Sequence, residues 1–323
     1  TQIRPADWDD TATAWNIAHS RINNAMLALE APAPPTVAGG DDAVLPAPQS
    51  NITKSVFTRM VERARDYIRA GDIFQVVLSQ RFSIPFHLPA FNLYRSLRRL
   101  NPSPFLFFFD FGALSIVGSS PEILVRLRDG VVTIRPIAGT RKRGATAEED
   151  EANAADLMQD VKERAEHLML LDLGRNDVGR VCRPGSVRVK SNYEVEFYSH
   201  VMHIASQVEG HIRPDLDAID AMIAGFPAGT VSGAPKIRAM QIIDELEPDR
   251  RGIYSGAIGY ISAAGDLDTC IALRTAIVTD QKMHIQAGAG IVYDSDPDAE
   301  FTETQDKAME LIRAAGDALT FVR

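Results

Sequence analysis

Apolar residues first recur at helical spacing over Thr11–Glu30. Ala14, Ile17, Ala18, Ile22, Ala25, Met26 and Leu29 share one stripe there and predict an amphipathic helix. Residues 31–50 break the pattern with Pro, Ala, Gly and two Asp, the composition of a linker. Thr53 opens a second helix, with Val56, Met60, Val61, Ala64 and Ile68 on its stripe and Gly71 at its end. The period then changes. Phe74–Ile84, Phe105–Phe111, Leu114–Val117, Ile123–Arg128 and Val131–Arg135 predict strands, with a short helix over Phe91–Leu100. Asp129-Gly130 joins two of the strands as a hairpin turn. Further on, strands are predicted around Val187–Val189 and at Val201–Val208, and helices at Leu216–Phe226 and Pro235–Leu246. Ile253–Ser262, Thr269–Thr279 and Met283–Val292 suggest a three-stranded meander before a last helix from Pro297 to Leu319. Two strand-rich blocks, each followed by helices, predict an α+β fold of mostly antiparallel sheet. Residues 1–50 are expected to form an N-terminal helix and linker, and residues 51–323 one large domain.

The stretch Asp160–Asp177 holds no Pro and only Gly174 near its far end, so it predicts a long helix. Glu163 and Glu166 share a face that continues through Leu170 and Leu173. Two like charges at the head of an apolar stripe repel and are partly desolvated, so something positive is expected opposite them. A second such face carries Glu300, Glu303 and Lys307. Each pair alone could be an ordinary solvated helix face. Together the carboxylates could converge on a hard divalent cation such as Mg²⁺, which takes oxygen ligands and keeps some waters.

A net charge of −9 argues against a general nucleic-acid or anionic-membrane binder. No apolar run reaches the roughly 18 residues of a membrane span, and no signal-peptide core is present, so the cytoplasm is the expected location. Cys182 and Cys270 stand far apart with no C-x-x-C partner and read as buried free thiols.

Several motifs fail as other chemistries. Gly229–Lys236 lacks the Gly-Lys-Ser/Thr of a phosphate loop and reads as a tight turn into a helix, with backbone N–H groups that could meet an anion. Gly288-Ala289-Gly290 lacks the third Gly of a dinucleotide fingerprint; close backbone approach to a carboxylate, or a simple bulge, remains. His200 and His203 lack zinc-ligand companions and would point to opposite faces of a strand. His203 reads as either an acid/base group or a hydrogen-bonded structural His. Arg274, inside an apparent apolar strand, needs a carboxylate partner, internal or bound. Glu122, just ahead of another strand, is marooned in the same way.

Arg135–Arg141, Glu163–Asp177, Phe226–Pro248, Tyr254–Tyr260 and Gly288–Lys307 together resemble the chorismate-utilising enzymes, nearest to their anthranilate synthase branch. The resemblance runs from about Thr53 onward. It implies a large two-layered antiparallel β sandwich flanked by helices, with the active site in a cleft. It also implies Mg²⁺ among Glu163, Glu166, Glu300 and Glu303, with Glu166 and Glu303 as the expected direct ligands. Tyr254, Arg274, the Gly288, Ala289 and Gly290 backbone and Lys307 would hold carboxylates, and Thr140 would position the ring. Glu122 would protonate the departing C4 hydroxyl, with His203 near the enolpyruvyl group. The implied reaction adds ammonia to chorismate and eliminates pyruvate to give anthranilate, ammonia coming from a glutamine amidotransferase subunit.

Relatives that aminate at C4 carry a nucleophilic Lys where Ala138 stands, and the isochorismate and salicylate synthases carry a Lys base where Gln75 stands. Both positions favour the anthranilate branch over these rivals. Asn101, Pro102, Ser103, Pro104 and Phe105 resemble one half of the family's tryptophan inhibitor pocket; the Leu-Leu-Glu-Ser half is not found. Thr1 is therefore expected to lie inside a longer protein, with tryptophan inhibition confined to that full-length form. A binding or assembly module without catalysis is the competing reading from another class.

Overall fold

The computed structural model describes residues 4–32, 45–198 and 201–319; His200 and positions 33–44 of the expected linker lie outside them. Contacts divide the chain into two units. The first, residues 1–38 with 322–323, carries α1 (Thr11–Glu30), capped by Asp10, whose carboxylate accepts from Thr13 N at 2.8 Å. Only Ala14 and Ala18 of its stripe are buried, while Ile22, Met26 and Leu29 are exposed. The helix is present as the spacing predicts, but most of its apolar face is not packed.

The second unit, residues 39–321, holds the sheets. In chain order it begins with β1 (Gln49–Ser50), α2 (Lys54–Arg69), β2 (Gln75–Pro85), α3 (Ala90–Leu100), β3 (Phe105–Asp110) and β4 (Ser115–Ser120). Then come β5 (Ile123–Arg128), β6 (Val131–Ile134), β7 (Ile137–Lys142), α4 (Ala147–Gln159) and α5 (Val161–Val181). The next are β8 (Arg188–Phe197), β9 (Val201–His211), α6 (Ala218–Gly225), α7 (Gly229–Ser232), β10 (Gly233–Ala234) and α8 (Lys236–Leu246). The unit closes with β11 (Ala257–Ile261), β12 (Leu267–Ile271), β13 (Thr275–Thr279), β14 (Lys282–Ile291) and α9 (Pro297–Ala318). Among the described residues no helix is long and apolar enough to cross a membrane.

Among the described residues all pairings are antiparallel and form two seven-stranded sheets. One has the order β1-β2-β14-β13-β4-β3, with β10 beside β2; the other is β11-β12-β5-β6-β9-β7, with β8 beside β9. The α+β two-sheet architecture expected from the sequence is therefore present. Its apolar cores, however, belong to the separate sheets. Leu93, Leu97, Leu311 and Ala315 of α3 and α9 pack on Phe82, Ile84, Val117 and Ile285 of the first sheet. Phe57 and Val61 of α2, with Ile242 of α8, cover Val76 and Leu78. The second sheet buries Val125, Val132 and Val208 against Leu171 and Val178 of α5 and the alanines of α6. Burying each sheet on its own helices leaves the space between sheets free to hold a polar site.

The expected meander is corrected here. Thr269–Thr279 is two strands, β12 in one sheet and β13 in the other, so Arg274 sits between strands with φ of +46°. The chain makes a matching crossing between β4 and β5 at Pro121-Glu122. The two crossings lie side by side: Ser119 N donates to Arg274 O at 3.1 Å and Ile271 N to Glu122 O at 3.1 Å. Charged residues excluded from both strand interiors are thus collected at the seam. The sequence reading omits β7 and α4, and it sees only the start of the long β8. Pro235 caps α8 rather than opening it.

Gly233 tests how tightly β10 is clamped on β2. Its φ is +127°, and a Cβ there would stand 2.2 Å from Gln75 O and 2.8 Å from Val76 Cα. Both atoms are sheet backbone and cannot yield cheaply. Gly233→Ala is expected to lower stability by about 2 kcal/mol or more, read as a fall in the urea unfolding midpoint at unchanged m-value.

Candidate active site

The stripe on α5 begins at Asp160, whose carboxylate caps the helix by accepting from Lys162 N at 2.9 Å and Glu163 N at 3.1 Å. That start directs Glu163 and Glu166 into a cavity of about 590 Å³. Glu300, Glu303 and Lys307 of α9 line the same cavity. Gln75, Gly288 and Gly290 enter from the paired β2 and β14, and Ala138, Thr140 and His203 from β7 and β9. Glu122 and Arg274 come from the crossings, and Tyr254 from the loop before β11. Asn101, Pro102, Ser103 and Pro104 also line it.

Two expected positions do not. Ala289 is fully buried between its glycine neighbours, as strand alternation requires, and Phe105 turns into β3. The bulge alternative for Gly288–Gly290 is also set aside, because β14 keeps unbroken register with β2 through these residues. The glycines serve close approach. A Cβ on Gly290 would stand 2.5 Å from Gln75 Nε2, and one on Gly288 would stand 2.7 Å from Tyr254 Oη.

The carboxylates face one another with few cations among them. Burial, then Glu163 and Glu303, raise the Glu166 carboxyl above its ordinary range, against the amide of Gln75, which donates to Glu166 at 3.3 Å. Burial and Glu303 likewise raise Glu300, against the opposing pulls of Ser295, Lys307 and Lys162. A positive group, expected opposite Glu163 and Glu166, is present as Arg141, and Glu303 has Lys307 beside it on its own helix. Arg141 reaches Glu163 at 3.3 Å while binding Asp156 and Asp160 at 2.7 Å each, and Lys307 meets Glu303 at 2.7 Å and Gly288 O at 3.0 Å. Among the described residues no three His, Cys, Asp or Glu side chains converge on one point to hold a metal. The donor set is hard oxygen in mutual repulsion, a chemistry that fits Mg²⁺.

Arg274 has an internal partner, Glu310 at 3.1 Å, and Asn101 Nδ2 donates to the same carboxylate at 3.3 Å. Both members of the ion pair keep about a third of their side-chain surface exposed, 36% and 35%. On β7 a register shift between Ala138 and Thr140 leaves Gly139 with φ of +75°. Its carbonyl lies 2.9 Å from His203 Nδ1, and Thr140 Oγ1 is 3.0 Å from the same nitrogen. A carbonyl only accepts, so Nδ1 carries the proton and Nε2 keeps a bare lone pair. Burial lowers the His203 pKa, partly opposed by Gly139 and reinforced by Arg274, which holds the ring neutral.

Glu122 is buried, and desolvation pushes its carboxyl up to about 8, against smaller pulls from Thr230 and Lys307. Thr230 Oγ1 nevertheless makes no hydrogen bond of ordinary geometry with any protein atom. Thr230, Tyr198, Gln286 and Glu310 are lining residues that the sequence reading passes over. Thr230 lies within the motif Gly229–Lys236, whose glycines suggest only a possible anion loop. Lys236 of that motif is instead buried against Asp177 at 2.7 Å.

A family model described as chorismate binding enzyme matches residues 10–313. The chain belongs to the chorismate binding enzymes. It is 59% identical over 310 residues to anthranilate synthase component 1 of Cereibacter sphaeroides, covering 96% of this chain and 62% of that one. Over 266 residues it is 58% identical to the component 1 of Aquifex aeolicus, covering 82% and 54%. The crystal structure of anthranilate synthase component I from Streptococcus pneumoniae superposes with a TM-score of 0.83 at 49% identity, covering 91% of this chain and 65% of that one. The menaquinone-specific isochorismate synthase of Escherichia coli superposes at 0.77 with 27% identity, covering 88% and 65%. The chain thus spans between half and two thirds of the length of these relatives.

In this chorismate binding enzyme the raised Glu122 carboxyl has a stability signature. Its proton is held in the folded state at pH values where the unfolded chain has lost it. Its contribution is therefore complete below the ordinary glutamate value of 4.5 and is lost as pH rises through about 8. Unfolding free energies of the parent and Glu122→Gln, measured from pH 5 to 9, are expected to diverge in favour of the variant by about 1.4 kcal/mol per pH unit up to the folded pKa. Parallel curves would show that Glu122 is not held protonated.

Proposed function

We propose that the protein carries out the Mg²⁺-dependent conversion of chorismate and ammonia to anthranilate and pyruvate, with ammonia delivered by a glutamine amidotransferase subunit. The observation that carries the reading is one cavity combining a buried protonated acid, facing carboxylates and neutral side chains at Gln75 and Ala138. The identity of 52–59% to proteins named anthranilate synthase component 1 supports it. Two buried free cysteines fit a reducing compartment, and we assign the protein to the cytoplasm.

In this reading Glu163, Glu166, Glu300 and Glu303 hold Mg²⁺, with Glu166 and Glu303 nearest the ion. When bound, Mg²⁺ supplies a positive clamp on the substrate carboxylate and offsets the repulsion among these side chains. Arg274, Lys307, Tyr254 and the backbone at Gly288 and Gly290 bind carboxylates. Arg274 exchanges Glu310 for substrate, a small cost for a partly solvated pair. Thr140 positions the ring. Glu122 gives its proton to the C4 hydroxyl, which leaves as water while ammonia bonds to C2. His203, held neutral with Nε2 bare, serves as the base near the enolpyruvyl group during pyruvate elimination.

Neither Gln75 nor Ala138 can supply a nucleophile or activate a water near neutral pH. The nitrogen is therefore free ammonia, and turnover follows the unprotonated fraction as pH rises. Chorismate, Mg²⁺ and ammonium at alkaline pH should give anthranilate fluorescence, and omission of ammonium should leave chorismate unconsumed. Isochorismate or salicylate without a nitrogen source, or 4-amino-4-deoxychorismate with one, would overturn the assignment. Glu166→Gln and Glu303→Gln remove a charged hard ligand at constant volume. Each is expected to lose about 10- to 100-fold or more in turnover with folding intact, and normal turnover in both would refute the metal site.

A further inference from the structure

A second, smaller cavity of about 30 Å³ lies on the other side of Glu122. Glu122, Leu170 and Thr230 line both cavities, so they form the wall between them. The far side of the small cavity includes Asp177, whose carboxylate holds Lys236 Nζ at 2.7 Å. Lys236 also donates to Gly225 O at 3.3 Å and keeps 13% of its side chain exposed, against 6% for Asp177. Asp177 belongs to the stripe of Glu163, Glu166, Leu170 and Leu173, at the i+7 position from Leu170. One helix face therefore runs from the carboxylate cluster to this buried ion pair.

The small cavity is of water size, and its mostly apolar wall is broken by the side chains of Glu122, Arg135, Asp177 and Thr230. About 10–15 Å³ of such volume accommodates one water, which needs two to four polar partners. Glu122 and Asp177 offer carboxyl oxygens, and the buried Thr230 hydroxyl, though near enough to Glu122 to pull on its carboxyl, makes no hydrogen bond of ordinary geometry with protein. An orphaned buried hydroxyl costs about 1–3 kcal/mol unless water satisfies it.

We propose that this cavity is a hydrated proton relay that refills Glu122 from the Asp177–Lys236 pair, behind the substrate. The inference rests on the reading of Glu122 as the acid of the reaction proposed above. The Glu122 O–H bond breaks as its proton joins the C4 hydroxyl, which departs as water. The Glu122 carboxylate then takes a proton from the cavity water. That water is restored from the Lys236 ammonium through Asp177, and Lys236 takes a proton from solvent. The proton shed by the newly bonded amine returns to solvent, so the cycle consumes none. Thr230 acts through the water and is a positioning residue.

The test uses two variants of the 323-residue chain. Thr230→Val removes only the hydroxyl at similar volume. The double variant Asp177→Leu/Lys236→Met removes the ion pair without leaving a buried charge unpaired, a replacement that is often neutral for stability. In both, kcat is expected to fall about tenfold, KM for chorismate to fall with it, and kcat/KM to stay constant, because the first irreversible step starts from protonated Glu122. The solvent deuterium isotope effect on kcat should rise. In a Glu122→Gln background, neither change should lower the residual rate further. Unchanged kcat in both variants, a parallel loss in kcat/KM, or additive losses in the Glu122→Gln background would overturn the relay. Failure of the parent chain to aminate chorismate would overturn the underlying reading, and the relay with it.

Discussion

The site depends on the chain crossing twice between its two sheets at neighbouring points. Strand interiors exclude an unpaired charge, yet Glu122 and Arg274 each follow or precede strongly apolar runs. Crossing at Pro121-Glu122 and at Ala272–Arg274 releases both residues from ladder positions while keeping them anchored by backbone bonds to the opposite crossing. Ser120 Oγ adds a third tie, donating to Ile271 O at 2.6 Å. Because each sheet buries its apolar face on its own helices, the seam is free to be polar. A sandwich with one shared core would have filled this space with aliphatic side chains.

Charge is then distributed against itself. Glu163 and Glu166 on α5 meet Glu300 and Glu303 on α9, and the nearest cations are already engaged: Arg141 by three carboxylates, Lys307 by Glu303 and a carbonyl. Burial, with repulsion among the carboxylates added to it, raises Glu166 and Glu300, so the protein alone leaves this end of the cavity in want of positive charge. At the other end Glu122 is raised by burial with no neighbouring carboxylate adding to the rise, and it stands apart from the cluster. One cavity thus holds carboxyl groups in two different settings, a cluster in mutual repulsion and a single buried acid.

Much of this was legible from residue spacing. The α5 stripe and the α9 face follow from helical period alone, and the Asp129-Gly130 turn, with φ of +51° and +74°, from hairpin chemistry. What spacing could not give were the long-range facts. Thr269–Thr279 has one continuous β pattern, and only tertiary pairing divides it between sheets. Gly139 reads as an ordinary glycine in a short motif, yet its left-handed conformation fixes which nitrogen of His203 is protonated. Glu310, the partner of Arg274, sits in a helix rich in acidic residues with nothing local to distinguish it.

The same α5 stripe joins these levels. Its period of three and four residues puts Glu163 and Glu166 in the large cavity, Leu170 in the shared wall, and Asp177 at the far side of the small one. Gly174, on the same face, leaves the helix 3.5 Å from the Ile134 side chain for an added Cβ, ordinary contact rather than clearance, so α5 lies close on the second sheet. Leu173 packs so near Gly229 that a Cβ there would stand at 1.9 Å, which ties the helix to the segment bearing Thr230. A rotation of α5 would therefore disturb the carboxylate cluster, the wall beside Glu122 and the Asp177–Lys236 pair together. Rigid packing along one helix face is what keeps a cation-seeking end and a proton-holding end in fixed register.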